Sequence, residues 1–360
     1  MEQLFEGIRK NFGFGFMRLP MDGDQVDIPQ TKRMVDEFLA AGFNYFDTAH
    51  GYLDGKSEQA IRECLSSRYP RDRYILTNKL SGNYFETEAD IRPLFQKQLE
   101  ACGVDYFDFY LMHAQSRSRM PHYRAARAYE TALELKKEGK IRHLGISFHD
   151  TADALEEILT EYPQVEVVQL QFNYLDYEDP KVQSRKCYEV CRRHGKPVIV
   201  MEPVKGGALV NLPEEAQKIL SRQGGGSAAS YAIRFAAGFD GILMVLSGMS
   251  NLEQLRDNVS FMKDFQPLSF RERQAVERVS AILRAQGQIP CTGCRYCTEV
   301  CPQGVPIPEL FAAVNAKRQT GAPAPAGLKD FACVKCGQCE SICPQTLPIR
   351  DLLVTAAKEL

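Results

Sequence analysis

The amino-acid sequence predicts an α/β fold, a closed (β/α)8 TIM barrel followed by a small cysteine-rich C-terminal domain. Between residues 12 and 247, eight apolar stretches alternate with helical patterns, which is typical of a parallel sheet whose strands are joined by helices. Residues 198–201 and 242–246 are apolar throughout, as expected of strands that are buried on both faces. Eight of the 12 cysteines lie from Cys291 to Cys343, and this change in composition indicates a second domain.

The first half of the barrel is predicted from apolar runs that alternate with segments of helical spacing. Residues 12–17 alternate between glycine and apolar side chains and predict the first strand, and the spacing of apolar residues in 29–41 predicts a helix. The elements that follow are strands at 43–47, 74–79 and 107–113 and helices at 58–65, 91–99 and 129–137.

The second half of the barrel continues this alternation. Its predicted strands are 142–147, 165–171, 197–202 and 241–247, and its predicted helices are 152–159, 182–194 and 228–237. Ser269-Phe-Arg-Glu272 then forms a capping box, which begins a helix that runs to about residue 285. We therefore predict a barrel domain over residues 1–265, and a linker helix with the cysteine-rich domain over residues 266–360.

A doubly wound open sheet is the alternative fold for such an alternation. That fold usually carries a glycine-rich phosphate-binding turn after its first strand. Gly13-Phe-Gly15 lacks the third glycine of this turn, and Gly224-Gly-Gly226 falls in a predicted loop between helices. We interpret both glycine groups as ordinary turns, which favours the barrel.

Composition and charge narrow the class of protein. The hydrophobic fraction of 44% and the charged fraction of 25% are typical of a globular protein. A net charge of −2 gives no field that would attract nucleic acid or an anionic membrane, and no apolar run is long enough to span a bilayer. The first residues lack the basic start and apolar core of a secretory signal. We expect a cytoplasmic protein without a nucleic-acid or membrane partner.

Four polar residues lie at or just beyond the ends of three neighbouring predicted strands: Asp47, Tyr52, Lys79 and His113. In a barrel, the carboxyl ends of all strands meet at one face, where such enzymes hold their catalytic groups. A tyrosine has a reference pKa of about 10, and a neighbouring ammonium lowers this pKa because it stabilises the phenolate. Asp47 would hold the ammonium of Lys79, and His113 would orient a substrate oxygen. The sequence thus predicts a proton-donating site.

The C-terminal region contains an internal repeat at a spacing of 42 residues. Cys291-x-x-Cys294-x-x-Cys297-x-x-x-Cys301-Pro302 recurs as Cys333-x-x-Cys336-x-x-Cys339-x-x-x-Cys343-Pro344. This spacing is the bacterial ferredoxin pattern for [4Fe–4S] clusters, in which the fourth cysteine binds the other cluster. The two predicted clusters are held by Cys291, Cys294, Cys297 and Cys343, and by Cys333, Cys336, Cys339 and Cys301.

Zinc is the alternative metal for these cysteines, because structural zinc sites also use four thiolates. Duplicated runs of four cysteines, each followed by proline, favour iron–sulfur clusters over zinc. Residues 320–327, between the two runs, lack periodicity and are predicted to form a loop. The remaining cysteines receive no function, because buried cysteines commonly serve as small apolar side chains; they are Cys64, Cys102, Cys187 and Cys191.

The four strand-end residues and their surroundings resemble the catalytic tetrad of the aldo-keto reductase family. The resemblance covers roughly residues 12–260 and rests on Phe46-Asp-Thr-Ala-x-x-Tyr52, Thr77-Asn-Lys79, Tyr106-x-Asp-x-Tyr-x-x-His113 and Gly139-Lys-Ile-Arg-x-x-Gly-Ile-Ser147. With its tail, the chain is similar to the iron–sulfur subgroup that carries a fused ferredoxin-like domain with two [4Fe–4S] clusters. The resemblance implies hydride transfer between NAD(P)H and a small carbonyl or alcohol substrate, with Tyr52 as the general acid.

The resemblance also implies a nicotinamide site across the ends of the later strands. Ser147 and Gln171 match positions that hold the carboxamide, and Asn173 is a second candidate nearby. A capping box at Ser250-Asn-Leu-Glu253 would begin a helix whose free N–H groups receive a phosphate. The other matching positions are Met201 for ring stacking, Ser247, Gly248 and Met249 before that helix, and Gln254 and Asn258 for adenine.

The identity of the redox cofactor stays open between NADP, NAD and a flavin. Phe148 stands where the family often has asparagine, and Met201 stands where an aromatic ring is expected. No basic residue for a 2′-phosphate lies near Ser250 in the sequence, and Lys205 is a candidate substitute.

The iron–sulfur clusters imply a second redox activity beside hydride transfer. A hydride carries two electrons, whereas each cluster passes one at a time, so electron exchange with a ferredoxin or similar partner is expected. The alternatives are a purely structural role for the clusters, an electron-transfer module without carbonyl reductase activity, and a redox sensor. Five loop residues are candidates for the substrate pocket: Tyr84, Phe85, His122, Tyr123 and Tyr174.

Overall fold

The computed structural model describes residues 5–321, 323, 325, 327–328 and 330–360. The first four residues, and residues 322, 324 and 326 of the predicted loop, lie outside the described part. The chain forms two compact units, Met1–Pro203 with Ala232–Leu268, and Val204–Tyr231 with Ser269–Leu360. The predicted division between residues 265 and 266 stays a prediction.

The strands of the first unit close into a barrel, which confirms the predicted (β/α)8 TIM barrel. The doubly wound alternative is wrong, because β1 pairs in parallel with both β4 and β10, so that the order β1-β10-β9-β8-β7-β6-β5-β4 closes on itself. The strands are β1 (Phe12–Gly15), β2 (Met21–Asp22), β3 (Gln25–Val26), β4 (Tyr45–Asp47), β5 (Ile75–Leu80), β6 (Phe107–Gln115), β7 (Ile141–Phe148), β8 (Val167–Gln171), β9 (Val198–Met201) and β10 (Ile242–Gly248).

Helices follow most of the barrel strands. The helices up to residue 262 are α1 (Ile28–Ala40), α2 (Lys56–Ile61), α3 (Glu88–Cys102), α4 (Met120–Ala125), α5 (Ala128–Lys137), α6 (Ala152–Glu161), α7 (Ser184–Arg193), α8 (Glu214–Ser221), α9 (Ala228–Ala237) and α10 (Leu252–Met262). The C-terminal helices are α11 (Phe270–Ala285), α12 (Tyr296–Glu299), α13 (Ile307–Thr320), α14 (Gln338–Ser341) and α15 (Ile349–Glu359).

The eight predicted barrel strands are all present, with ends that differ from the predicted ends by a few residues. The helix predicted at 58–65 is present, but only its first part is α-helical: α2 ends at Ile61, and the chain continues as a π-helix over Arg62–Ser66. The β2–β3 hairpin, α4, α8 and the helices after α11 were not predicted from the sequence.

Gly13 and Gly15 lie inside β1, so their interpretation as turn residues is wrong. A Cβ atom at Gly13 would lie 2.7 Å from the side chain of Leu246 and 3.0 Å from that of Tyr45, inside the barrel. Glycine at position 13 is therefore required by packing, because any side chain would displace its neighbours. Residues 224–226 do lie between α8 and α9, as predicted.

The barrel interior changes from apolar to polar along the strands. Its amino-terminal part is filled by one apolar cluster, in which Tyr45 and Ile75 pack with residues of the opposite strands. Side chains two positions apart on a strand face the same side, so Asp47 lies beyond Tyr45, and Lys79 lies beyond Ile75, towards the carboxyl ends. The two-residue period of the strands therefore explains why the polar side chains lie on the carboxyl-terminal side of the apolar cluster.

Two helix starts differ in how well the sequence predicted them. The capping box of Ser269 and Glu272 at the start of α11 is confirmed, with both reciprocal hydrogen bonds present. The box predicted at residues 250–253 is wrong: Asn251 caps α10 and accepts a 2.9 Å hydrogen bond from Gln254 N. The Ser250 hydroxyl cannot serve as that cap, because it donates to the Arg18 carbonyl instead.

The cysteine-rich part of the second unit has its own small core. The helices α13 and α15 supply most of the buried apolar side chains, including Leu310, Phe311 and Leu353, and the short helices α12 and α14 each contribute one buried cysteine. No helix among the described residues is long and apolar enough to cross a membrane.

Candidate active site and cysteine-lined cavities

The ion pair of Lys79 and Asp47 forms the centre of the polar layer. The Lys79 ammonium is fully buried and donates to Asp47 Oδ1 over 2.7 Å and to the Thr48 carbonyl over 2.8 Å. Burial lowers the pKa of Lys79, and the carboxylate of Asp47 opposes this shift. Burial likewise raises the pKa of Asp47 against the effect of Lys79. Each charge is therefore held in the barrel by the other.

Tyr52 and His113 complete the predicted tetrad around this ion pair. The Tyr52 ring follows a turn closed by the 3.0 Å hydrogen bond from Tyr52 N to the Ala49 carbonyl. Lys79 Nζ lies 4.8 Å from the centre of that ring, and the His113 ring lies 5.9 Å from it on centroids. The structure thus brings together all four residues that the sequence singled out.

The surroundings of His113 keep its imidazole neutral. Burial, followed by the charge of Lys79, lowers the pKa of His113 well below its usual value. The Nδ1 atom shares a 2.6 Å hydrogen bond with the Ser81 hydroxyl, which fixes the ring. Ala114 has a positive φ of 52° and donates its N–H to the Ser147 hydroxyl over 2.7 Å. This bend turns the chain directly after His113.

Sequence reasoning missed Gln169, which belongs to the same polar layer. Its side-chain amide donates to Asp47 Oδ2 over 3.2 Å, so both carboxylate oxygens of Asp47 are occupied. Gln169 and Gln171 occupy alternate positions of β8 and share its inner face. The sequence signal that could have identified Gln169 is the presence of glutamine in an otherwise apolar strand. Gln169 and Gln171 share this signal equally.

A buried network behind Lys79 was also missed. Glu58, with an exposed fraction of 1%, shares a 2.7 Å hydrogen bond with His50 Nδ1 and accepts a 2.8 Å bond from the Asn78 amide. Asn78 Oδ1 in turn accepts the backbone N–H of Lys79 over 2.8 Å. The loop before Tyr52 and the strand that carries Lys79 are therefore connected. Glu58 lies on a predicted helix, where glutamate is common, so the sequence alone does not indicate that it connects these two segments.

The predicted carboxamide residues lie at the ends of adjacent strands. Ser147 is the last residue but one of β7 and accepts the Ala114 N–H, whereas the Gln171 amide donates to Asp176 over 2.6 Å. Asn173 donates to the same carboxylate over 2.6 Å. Met201 is paired in register with Gln171 at the end of β9 and is half-buried.

The predicted dinucleotide residues at the end of β10 lie together. Asn258 of α10 donates to the Ser247 hydroxyl over 2.8 Å, and Gln254 accepts the Ser250 N–H over 2.7 Å. Gly248 ends β10, and Met249 beside it is buried.

A basic residue does lie near Ser250, contrary to the expectation from the sequence. Ser250 donates to the Arg18 carbonyl over 3.0 Å, and a Cβ at Gly248 would lie 3.2 Å from the Arg18 side chain. Barrel closure through β1 and β10 brings Arg18 there, across a separation of 232 residues. Its guanidinium is 3.5 Å from the carboxylate of Glu202.

The candidate pocket residues occupy different environments. Tyr84 is 44% exposed and lies edge-on to the His50 ring at 4.8 Å. Phe85 stacks on His122 at 4.7 Å, and the buried Tyr123 donates to the carbonyls of Leu80 and His113. Tyr174 is buried and packs against an aromatic ring of α9.

The eight tail cysteines line two cavities in the second unit. The first is lined by Cys291, Cys294, Cys297 and Cys343. The second is lined by Cys301, Cys333, Cys336 and Cys339. Each cavity thus combines three cysteines of one repeat with the fourth cysteine of the other, as the sequence analysis grouped them.

The cavity walls suit a sulfur-ligated group. Backbone N–H groups point at three of the thiols: Gly293 N lies 3.5 Å from Cys291 Sγ, and Val305 N and Lys335 N lie 3.4 Å from the sulfurs of Cys301 and Cys333. Such N–H···S contacts stabilise thiolates bound to iron. Among the described residues, no group of three Cys, His, Asp or Glu side chains is placed to hold a single metal ion.

The other four cysteines are buried in the barrel unit. Burial raises the pKa of the Cys64 and Cys187 thiols to about 12 in each case. Burial also raises the pKa of Cys102 and of Cys191 well above the usual value. All four are neutral thiols at neutral pH, because the thiolate is strongly disfavoured.

Comparison with known families defines the class of protein. Residues 11–281 match the model of the aldo/keto reductase family, and residues 290–347 match the 4Fe-4S dicluster domain. The chain belongs to the aldo/keto reductase family. It is an oxidoreductase of this family with a C-terminal 4Fe-4S dicluster domain, which confirms the fused arrangement predicted from the sequence.

Individual relatives share part of the chain. The NADH-specific methylglyoxal reductase of Escherichia coli is 30% identical over 197 residues, which are 49% of this chain and 57% of that protein. The chain thus spans little more than half of that relative. The D-galacturonate reductase of Fragaria ananassa is 27% identical over 254 residues, 64% of this chain and 76% of that protein.

Solved structures share the barrel fold. An aldo-keto reductase of Bacillus halodurans in its holo form is 27% identical with a TM-score of 0.60, covering 75% of this chain and 92% of that one. A Klebsiella pneumoniae aldo-keto reductase in complex with NADPH has a TM-score of 0.62 at 19% identity, covering 75% and 90%.

Proposed function

We propose that the protein transfers a hydride between NAD(P)H and a small carbonyl or alcohol substrate, with Tyr52 as the general acid. One observation supports this above all: the buried ammonium of Lys79, fixed by Asp47, lies 4.8 Å from the centre of the Tyr52 ring. A phenol, an ammonium and a neutral imidazole at the carboxyl face of a barrel are the groups that a carbonyl reduction requires.

The four side chains have distinct roles in this proposal. The Tyr52 hydroxyl gives its proton to the alkoxide that develops on the substrate oxygen, and the Lys79 ammonium stabilises the phenolate that remains. Asp47 and the Thr48 carbonyl hold that ammonium in place. His113 is neutral and therefore orients the carbonyl oxygen as a hydrogen-bond donor. A bound reduced nicotinamide would supply the hydride.

The dinucleotide would be held by the side chains at the ends of β7 to β10. Ser147 and Gln171 would contact the carboxamide, Met201 would pack on the ring, and the start of α10 would receive a phosphate. The Arg18 side chain lies beside Gly248 and adds a cation to this region, which supports the binding of either NAD or NADP. The related proteins include an NADH-specific enzyme and an NADPH complex, so both nucleotides are candidates.

We propose that the two cysteine-lined cavities each hold one [4Fe–4S] cluster. The two sets of four cysteines, each with an exchanged fourth member, support this proposal. When bound, the clusters would exchange single electrons with a ferredoxin-like partner. Cys336 is exposed, unlike the other seven tail cysteines, which favours electron exchange at the second cavity.

An electron-transfer module without carbonyl reductase activity is a second candidate function. The exposed Cys336 is the observation that favours it. This candidate predicts that the protein reduces ferredoxin or a dye but does not oxidise NADH or NADPH in the presence of a carbonyl compound.

The two candidates are separated by anaerobic purification followed by activity measurements. Iron, acid-labile sulfide and bound flavin are quantified first. NADH and NADPH oxidation is then measured with a panel of aldehydes, ketones and quinones. Carbonyl-dependent oxidation is the expected result, and its absence together with rapid dye reduction would favour the electron-transfer module.

A further inference from the structure

One arginine beside the candidate active site differs from its neighbours. Four arginines lie in the segment that leads from the end of β6 to the start of α5: Arg117, Arg119, Arg124 and Arg127. Three of them form ion pairs across the outer surface. These pairs are Arg117 with Glu157 at 2.7 Å, Arg124 with Glu161, and Arg127 with Glu88 at 3.2 Å.

Arg119 forms no ion pair or side-chain hydrogen bond with any residue in the part of the chain that the structure describes. It is half-buried, four residues beyond the end of β6. Burial raises the pKa of Tyr123, and the charge of Arg119 is the largest effect opposing that shift. The Tyr123 hydroxyl lies 3.0 Å from the His113 carbonyl. Arg119 therefore lies close enough to Tyr123 for its charge to act on that ring, in the loop that follows the strand of His113.

His149 follows β7 directly, and it is close enough to Arg119 for the arginine charge to act on its imidazole. Its backbone N–H donates to the Gln115 carbonyl over 3.0 Å, which joins the loops after β6 and β7. Burial and then the charge of Arg119 lower the pKa of His149 to about 3. His149 is thus a neutral imidazole at neutral pH, and it offers a hydrogen bond without adding a second positive charge.

We propose that Arg119, with His149 beside it, binds a carboxylate of the substrate, so that the substrates are oxo acids or the corresponding hydroxy acids. This inference rests on the proposed carbonyl reduction and specifies its substrate class. The planar guanidinium can accept a carboxylate through two parallel hydrogen bonds, and a partly buried cation without a partner gains from such an anion. One positive charge beside a neutral imidazole matches a monoanionic carboxylate rather than a doubly charged phosphate.

The test compares substrates that differ in one carboxylate. The kcat/KM of the holoenzyme is measured for 2-, 3- and 4-carboxybenzaldehyde and for benzaldehyde, which covers three positions of the charge. We expect the best carboxylated aldehyde to exceed benzaldehyde by about 10- to 100-fold, and Arg119→Met to abolish most of this ratio. Arg119→Lys keeps part of the ratio, because the charge remains but the planar fork is lost.

Arg117→Met is the matched control, since Arg117 is paired with Glu157 on the surface. This variant should keep the wild-type ratio. A wild-type ratio near one, or a ratio that Arg119→Met leaves unchanged, would overturn the proposal while carbonyl reduction itself stands.

A binding measurement tests the carboxylate site independently of the proposed carbonyl reduction. Isothermal titration of benzoate into the holoenzyme needs no turnover. If no aldehyde is reduced, the proposed function fails, whereas benzoate affinity that falls about tenfold or more in Arg119→Met still supports the carboxylate site. Equal benzoate affinity in the wild type and in Arg119→Met contradicts it.

Discussion

At the scale of single residues, burial determines the charge of each group in the candidate active site. Burial lowers the pKa of Lys79, and Asp47 and the Thr48 carbonyl oppose this effect by accepting hydrogen bonds from its ammonium. Burial disfavours the protonation of His113 and of His149 and lowers the pKa of both. The site therefore combines one ion pair, whose charges balance each other, with neutral imidazoles. This arrangement is suited to proton donation from a phenol.

The lowered pKa of His149 predicts a pH dependence of stability. Between pH 6.5 and about 3, the unfolded state binds a proton at this histidine and the native state does not, so the free energy of unfolding falls as the pH falls. The contribution is at most about 1.4 kcal/mol per pH unit for one group. His149→Gln removes it, and urea unfolding at pH 5 and pH 7 measures the difference between variant and wild type.

His122→Gln is the control for this experiment, because His122 is a half-buried histidine in the same region, stacked on Phe85. We expect the pH 5 to pH 7 difference to shrink in His149→Gln and to persist in His122→Gln. Equal differences in both variants and the wild type would show that His149 titrates alike in the folded and unfolded states.

At the scale of elements, the sequence predicted strands better than it predicted contacts between distant strands. Asp47, Tyr52, Lys79 and His113 were found because each follows a recognisable apolar run. The importance of Gln169 was missed, because its contact with Asp47 joins residues that are 122 positions apart. A strand can be predicted from its local two-residue pattern. Contacts between residues that are distant in sequence depend instead on how the barrel closes.

Arg18, Asn251 and the C-terminal helices illustrate the same limit. Arg18 reaches Ser250 only through the pairing of β1 with β10. Asn251 and Ser250 are both common helix caps, and the competing hydrogen bond of Ser250 to Arg18 decides between them. The helices α13 and α15 of the cysteine-rich part were not predicted either.

Gly13 gives the element-scale prediction. Gly13→Ala should reduce the free energy of unfolding by about 1–3 kcal/mol, because the new methyl group would lie 2.7 Å from Leu246 inside the barrel. Gly15→Ala is the control in the same strand, since its Cβ would meet no atom closer than 3.6 Å. Urea unfolding of both variants measures the effect. Equal losses would mean that strand propensity, rather than packing, sets the cost.

At the scale of the whole molecule, the chain belongs to the aldo/keto reductase family and carries a 4Fe-4S dicluster domain at its C-terminus. The sequence was sufficient to predict this arrangement, because the two cysteine runs are repeated with the same spacing. The exchange of the fourth cysteine is a tertiary feature. It was predicted from the ferredoxin pattern, and the two cavities group the cysteines in the same way.

Paired substitutions test this exchange directly. Cys297→Ser combined with Cys343→Ser removes two ligands from one proposed cluster and should leave about half of the wild-type iron. Cys297→Ser combined with Cys301→Ser removes one ligand from each proposed cluster and should disturb both, as seen by iron analysis and electron paramagnetic resonance of the reduced protein. The opposite pattern would mean that each cysteine run binds its own cluster.

In the proposed mechanism, the phenol of Tyr52, activated by the buried ammonium of Lys79, donates the proton in carbonyl reduction. The most direct measurement is the single-turnover rate of Tyr52→Phe beside its affinity for NADH and NADPH, with the best aldehyde found for the wild type. We predict that the rate falls by about 10²- to 10⁴-fold while the affinity for the dinucleotide is retained. An unchanged rate in Tyr52→Phe would contradict the proposed mechanism.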